Sequence, residues 1–71
     1  MQIDPKTIQA ELQEIAGKVP VRVKTDKKMD IAASTRETDK GIFIRLNPTR
    51  IRSPKQLEAH LNVCRESINP Y

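Results

Sequence analysis

Tryptophan is absent from this sequence, and phenylalanine and tyrosine occur once each, so aromatic residues make up only 3% of it. Phe43 and Tyr71 alone cannot form a stacking platform of two or three rings. The single cysteine, Cys64, excludes an internal disulfide framework, and the single histidine, His60, excludes any intrachain catalytic site that needs two imidazoles. With only two glycines there is no glycine-rich phosphate loop. No apolar stretch approaches the roughly 20 residues of a membrane span. The first residues, Met1-Gln2-Ile3-Asp4, lack a basic segment leading into an apolar one, so a cytoplasmic location away from membranes is expected.

What is present describes a folded chain. Of the 71 residues, 37% are apolar and 31% charged, with no low-complexity run, which fits one small globular domain over residues 1–71. A chain of this size buries only about 60% of the surface its unfolded form exposes, so a homodimer or a larger assembly is a reasonable expectation.

Asp4-Pro5 opens a helix, the carboxylate capping free N–H groups and the proline presetting φ at the first helical position. Ile8, Leu12, Ile15 and Ala16 form its apolar stripe, with Lys6, Gln9, Gln13 and Glu14 largely outside it, and Gly17 serves as a left-handed cap. The period then changes to two. Val19, Val21 and Val23 alternate with Pro20, Arg22 and Lys24, which predicts a strand over 19–24. Met29, Ile31 and Ala33 alternate with Asp30, Ala32 and Ser34, predicting a second strand over 29–34 after a polar turn at Thr25 to Lys28. The polar run from Thr35 to Lys40, closed by Gly41, reads as the next turn. Ile42, Ile44 and Leu46 alternate with Phe43 and Arg45 in the clearest strand, 41–46. Ser53-Pro54-Lys55-Gln56 has the S-x-x-Q form of a capping box, and Leu57, Leu61, Cys64 and Ile68 make a narrow apolar face on the helix it starts, which Asn69-Pro70 ends.

The expected fold is therefore α+β in the order α-β-β-β-α: a three-stranded antiparallel meander flanked by an N-terminal and a C-terminal helix. Both helices should pack on the strand face carrying the valines and isoleucines, because the other face carries Arg22, Lys24, Asp30, Ser34 and Arg45. The expected core is Ile8, Leu12, Ile15, Val19, Val21, Val23, Met29, Ile31, Ile42, Ile44, Leu46, Leu57, Leu61, Cys64 and Ile68.

His60 and Cys64 are the only soft metal-ligand candidates, and a spacing of four sets them on adjacent turns of one helix. Two ligands do not complete a structural zinc site, which normally takes four. Cys64 is expected to be a small buried hydrophobe and His60 to sit at the border of the stripe, with no bound metal and no cofactor.

Over residues 19–68 the chain resembles the front half of compact zincin metallopeptidases of the SprT-like kind: three strands, then a helix entered after an Ile-x-Leu-Asn-Pro strand end, here Ile44-Arg45-Leu46-Asn47-Pro48. The resemblance implies an H-E-x-x-H helix whose histidines bind zinc and whose glutamate acts as general base. In this sequence the stretch is His60-Leu61-Asn62-Val63-Cys64, a degenerate form with leucine in place of the base and cysteine in place of the second histidine. What the resemblance implies is a catalytically dead relic rather than a peptidase.

Lysine and arginine outnumber aspartate and glutamate by 13 to 9, a net charge of +4. Lys18, Arg22, Lys24, Lys27 and Lys28 cluster around a single acid, Asp26, and Arg45, Arg50, Arg52 and Lys55 form a second cluster with none. Arg22, Lys24, Phe43 and Arg45 should share the open face of the sheet. Three uses of that face are expected alternatives. It can be a solvated surface whose charges discourage strand edges from pairing. It can bind a protein partner or a second copy through Phe43 and an open strand edge. It can bind nucleic acid or another polyanion through its basic residues. No serine has a base within reach, and Glu11, Glu14, Glu58 and Glu66 lie on helix surfaces, so no catalytic residues and no small-molecule substrate are identified and the chain does not read as an enzyme. The leading expectation is a small non-catalytic binding or accessory module that contacts another protein, with nucleic-acid binding as the alternative.

Overall fold

Asp4 opens the first helix as its sequence suggests. Its Oδ1 accepts the Lys6 N–H at 3.1 Å while Oδ2 accepts the Thr7 hydroxyl at 2.8 Å, which supplies partners to helix-end groups that would otherwise have none. The computed structural model describes residues 3–68, so the expected stop at Asn69-Pro70 lies outside the described residues. Five elements follow one another: helix α1 at Pro5–Ala16, strands β1 at Val21–Thr25, β2 at Ala33–Thr38 and β3 at Gly41–Leu46, and helix α2 at Pro54–Ile68.

The second cap differs in one detail from the capping-box pattern. Ser53 Oγ accepts the Gln56 N–H at 3.1 Å, but the Gln56 side chain reaches back past Ser53, taking the Arg52 N–H at 3.0 Å and donating to the Arg50 carbonyl at 3.2 Å. One side chain thus staples the approach to α2 as well as its first turn.

The sheet is mixed, not an antiparallel meander. Its order is β1-β3-β2, with β1 parallel to β3 and β2 antiparallel to β3. The chain leaves β1, crosses over the place β3 will take, forms β2 at the far edge and returns through the tight Asp39-Lys40 turn into the centre. The central place falls to the most apolar strand: Ile42, Ile44 and Leu46 are all buried, whereas β2 has no fully buried residue. Inserting β3 between the other two brings its apolar side chains nearest both helices.

The crossover is held by Asn47, a polar side chain only 1% exposed. Its Nδ2 donates to the Met29 carbonyl at 2.8 Å, its Oδ1 accepts the Thr49 N–H at 3.0 Å, and its backbone N–H donates to the Ala32 carbonyl at 2.8 Å. These bonds fasten residues 29–32 as a loop, which displaces β2 to 33–38 from the 29–34 expected of it. Ile31 accordingly lies 55% exposed instead of in the core.

Both helices pack on one sheet face. Ile8 and Leu12 of α1 and Leu61, Cys64 and Ile68 of α2 close over Val21, Val23, Ile42, Ile44 and Leu46. Ile51, in the turn before α2, joins them without having been expected there. Three further expectations fail: Ile15 and Val19 are exposed, and Met29 is half-buried outside the core cluster. For the first two the cause is the orientation of α1, which turns Gln9 and Gln13 toward β1. Gln13 Oε1 accepts the Val21 N–H and Gln9 Oε1 the Val23 N–H, each at 2.9 Å, while Gln13 Nε2 donates to the carbonyls of Gly17 and Val19. That face of α1 serves the strand edge, so Ile15 is carried away from the core.

Gly41 permits the β1–β3 start. At φ +133° it occupies a backbone region L side chains rarely adopt, and a Cβ there would collide with the Pro20 carbonyl oxygen. That oxygen accepts the Ile42 N–H at 2.8 Å.

Candidate nucleic-acid interface

Because both helices occupy one face, the other is left open, and strand alternation decides what stands on it. The register sets Arg22 beside Phe43 and Phe43 beside Arg36, so one row across the three strands reads Arg22, Phe43, Arg36. The next row reads Lys24, Arg45, Ser34. Directly opposed residues share a face, so the four positions marked from sequence, Arg22, Lys24, Phe43 and Arg45, are brought together as expected. Arg36 was missed because it lies in a polar run that reads as a turn. Its only signal is the alternation of Ser34, Arg36 and Thr38, which strand periodicity alone does not distinguish from a loop.

A shallow groove of about 770 Å³ on this face is lined by Arg22, Arg36, Phe43 and Arg45, with Lys40 of the hairpin turn, among others. Phe43 is half-buried in the middle. The Lys24 ammonium stands 5.8 Å from its ring centroid, within reach of a cation–π attraction. Among the described residues only Arg45 of these cations has an acidic partner, Asp26 at 3.7 Å. Asp26 is otherwise occupied by the turn, accepting the Lys28 N–H at 2.9 Å. Arg22, Arg36 and Lys40 have no acidic partner among the described residues, and Lys24 stands over the Phe43 ring.

His60 and Cys64 lie apart from this face, on α2. Cys64 is buried beneath β2, its Sγ 3.4 Å from the Thr35 hydroxyl oxygen, and His60 is half-buried. Among the described residues no three histidine, cysteine, aspartate or glutamate side chains come together as a metal-binding group.

A separate charged cluster joins the helices. Arg65 of α2 donates through Nε and Nη2 to Glu11 of α1, and through Nη1 to Glu58 at 2.6 Å and Asn62 at 2.7 Å. Hydrogen bonds to Glu58 and then Glu11 raise the Arg65 pKa, so its charge is fixed. This clasp bridges α1 and α2 through partly exposed carboxylates. No helix among the described residues is long and apolar enough to cross a membrane. Compared with protein-family models, with curated proteins and with solved structures, the chain matches none.

Proposed function

We propose that this chain is a small non-catalytic module that binds single-stranded nucleic acid across its open sheet face. The observation that carries the reading is the row Arg22, Phe43, Arg36, in which one ring is flanked by two guanidinium groups on neighbouring strands. A base stacked on Phe43 would have a cation on either side for the phosphates that precede and follow it. Neighbouring strands lie about 4.8 Å apart, so the two arginines are rooted roughly 10 Å from one another, and their long side chains can adjust to the phosphate spacing of an extended strand. A single ring supports stacking without base readout, so little sequence preference is expected.

Arg36 is also what moves the balance from a protein partner, the leading expectation from sequence, toward a polyanion. The zincin resemblance adds no activity, since Leu61 occupies the place of the general base.

Titration of a labelled mixed-sequence oligonucleotide at low and at physiological salt tests the proposal. Binding should be measurable at low salt and weaken steeply as salt is added, each neutralised phosphate contributing about −0.7 to the logarithmic slope. Arg22→Ala, Arg36→Ala and Arg45→Ala should each weaken it. Absence of binding at low salt, or equal binding by the three variants, overturns the reading and returns the face to a protein partner.

A further inference from the structure

A three-stranded sheet has two edges, and this one has closed only one of them. On the β1 side, the outward N–H groups of Val21 and Val23 are taken by Gln13 and Gln9 of α1, so a further strand could pair there only by displacing both glutamines. On the β2 side no described residue plays that part. The Ala32 carbonyl accepts the Asn47 N–H and the register runs on through Ser34–Arg45, Arg36–Phe43 and Thr38–Gly41, so the even positions of β2 bond to β3. Antiparallel alternation then turns the N–H and C=O groups of Ala33, Thr35 and Glu37 outward. No described residue bonds to them.

The geometry points to the free edge of β2 as a docking site for an extended peptide that adds a fourth strand and carries acidic side chains on the open face. Main-chain bonds along the edge supply affinity, and alternate side chains supply selection. The selection is legible in β2. A residue opposite Arg36 stands directly beside that guanidinium on the open face, with Lys40 of the adjoining turn lining the same groove, so a carboxylate is favoured there. Residues opposite Ala33, Thr35 and Glu37 stand on the helix face, and because Ala33 packs against the core an apolar side chain suits the place opposite it. A second copy paired about Arg36 is disfavoured as the occupant, and an acidic peptide complements Arg36 better than another copy's Ser34 or Arg36 can. Two-fold pairing that bonds Thr35 of one copy to Glu37 of the other would set the two Arg36 side chains directly opposite, with Cα atoms about 4.5 Å apart. The inference concerns the edge of the sheet and does not depend on nucleic acid binding its face.

The test uses the full chain and a synthetic peptide alternating glutamate and valine, followed by backbone amide NMR. In an antiparallel addition with glutamates over the open face, the valine amides point at β2 and the glutamate amides away from it. N-methylation of the valines should therefore weaken binding by about tenfold or more, the equivalent of one lost hydrogen bond, while N-methylation of the glutamates should be tolerated. Replacing the glutamates with lysine should abolish binding. On saturation, the amides of Ala33, Thr35 and Glu37 should shift and exchange more slowly. Thr35→Pro removes an outward N–H without touching the β2–β3 ladder and should weaken the peptide similarly, with circular dichroism checking that the variant is folded. No binding at low salt, equal binding by the two N-methylated peptides, or shifts confined to Arg22, Lys24 and Phe43 would overturn the edge site. The last two outcomes would place the peptide on the face instead.

Discussion

The side-chain carbonyl of Gln9 accepts the backbone N–H of Val23 at 2.9 Å, and Gln13 does the same for Val21. Two side chains of a helix thereby take the place of a neighbouring strand. Replacing either glutamine with alanine leaves a partly buried N–H without a partner, which should lower stability by about 1–3 kcal/mol. Amide exchange should quicken selectively, at Val23 in Gln9→Ala and at Val21 in Gln13→Ala. Unchanged protection at those two amides would show that the glutamines do not close the edge.

Asn47 should be as sensitive as an apolar core residue. Asn47→Ala strands the Met29 carbonyl and the Thr49 N–H together and should cost on the order of 2–4 kcal/mol by urea denaturation. The amide signals of residues 29–32 should move most. If they hold still, the crossover is fastened by something other than Asn47.

On the open face, charge and stacking should separate cleanly in oligonucleotide titrations. Phe43→Leu should weaken binding by about 1–3 kcal/mol with the salt slope unchanged, because the ring contacts a base and releases no counterion. Arg36→Ala should instead flatten the slope by about 0.7. The opposite pattern would mean that Phe43 is not the stacking surface.

Asp4 gives the protein a pH dependence of definite sign. Its hydrogen bonds with Thr7, above all to the hydroxyl, hold its carboxyl below the ordinary 3.8. A depressed folded value means that the carboxylate's contribution is present above the unfolded pKa and lost as pH falls through the folded one. Asn also caps helices, so Asp4→Asn isolates the charge. Melting temperatures should show the wild type above Asp4→Asn at pH 6, with the gap closing as the pH falls below 4. A gap that widens on acidification would contradict this assignment.

Core and clasp should differ in scale. Ile44, fully buried in the central strand, should cost about 2–5 kcal/mol when truncated to alanine. Arg65→Met keeps the apolar stem and removes an ion pair network that is partly in water, and should cost about 1 kcal/mol or less. Equal losses in chemical denaturation would place the helix clasp among the main supports of the fold.

The two helices and β3 are legible residue by residue because their signals are local. A cap, a proline at the first turn, a 3.6-residue stripe or a strict alternation is complete within one segment, and the bounds of α1 and β3 and the start of α2 follow from it. The same locality makes Arg22, Lys24, Phe43 and Arg45 legible as neighbours. Period two fixes the face of each residue in β1 and β3, and it does so whether the strands pair parallel or antiparallel. Strand order is a different kind of fact. Whether β2 or β3 lies next to β1 depends on which arrangement buries Ile42, Ile44 and Leu46 under both helices, a comparison between distant segments that no window of sequence contains. The place of β2 depends likewise on Asn47 fastening residues 29–32 as a loop, and with it came Arg36, whose charge entered the open face only once the strand had moved. Gln9 and Gln13 show the same limit from the other side. As polar residues on a helix they read as solvated, and only their approach to the unpaired N–H groups of β1 made them part of the sheet.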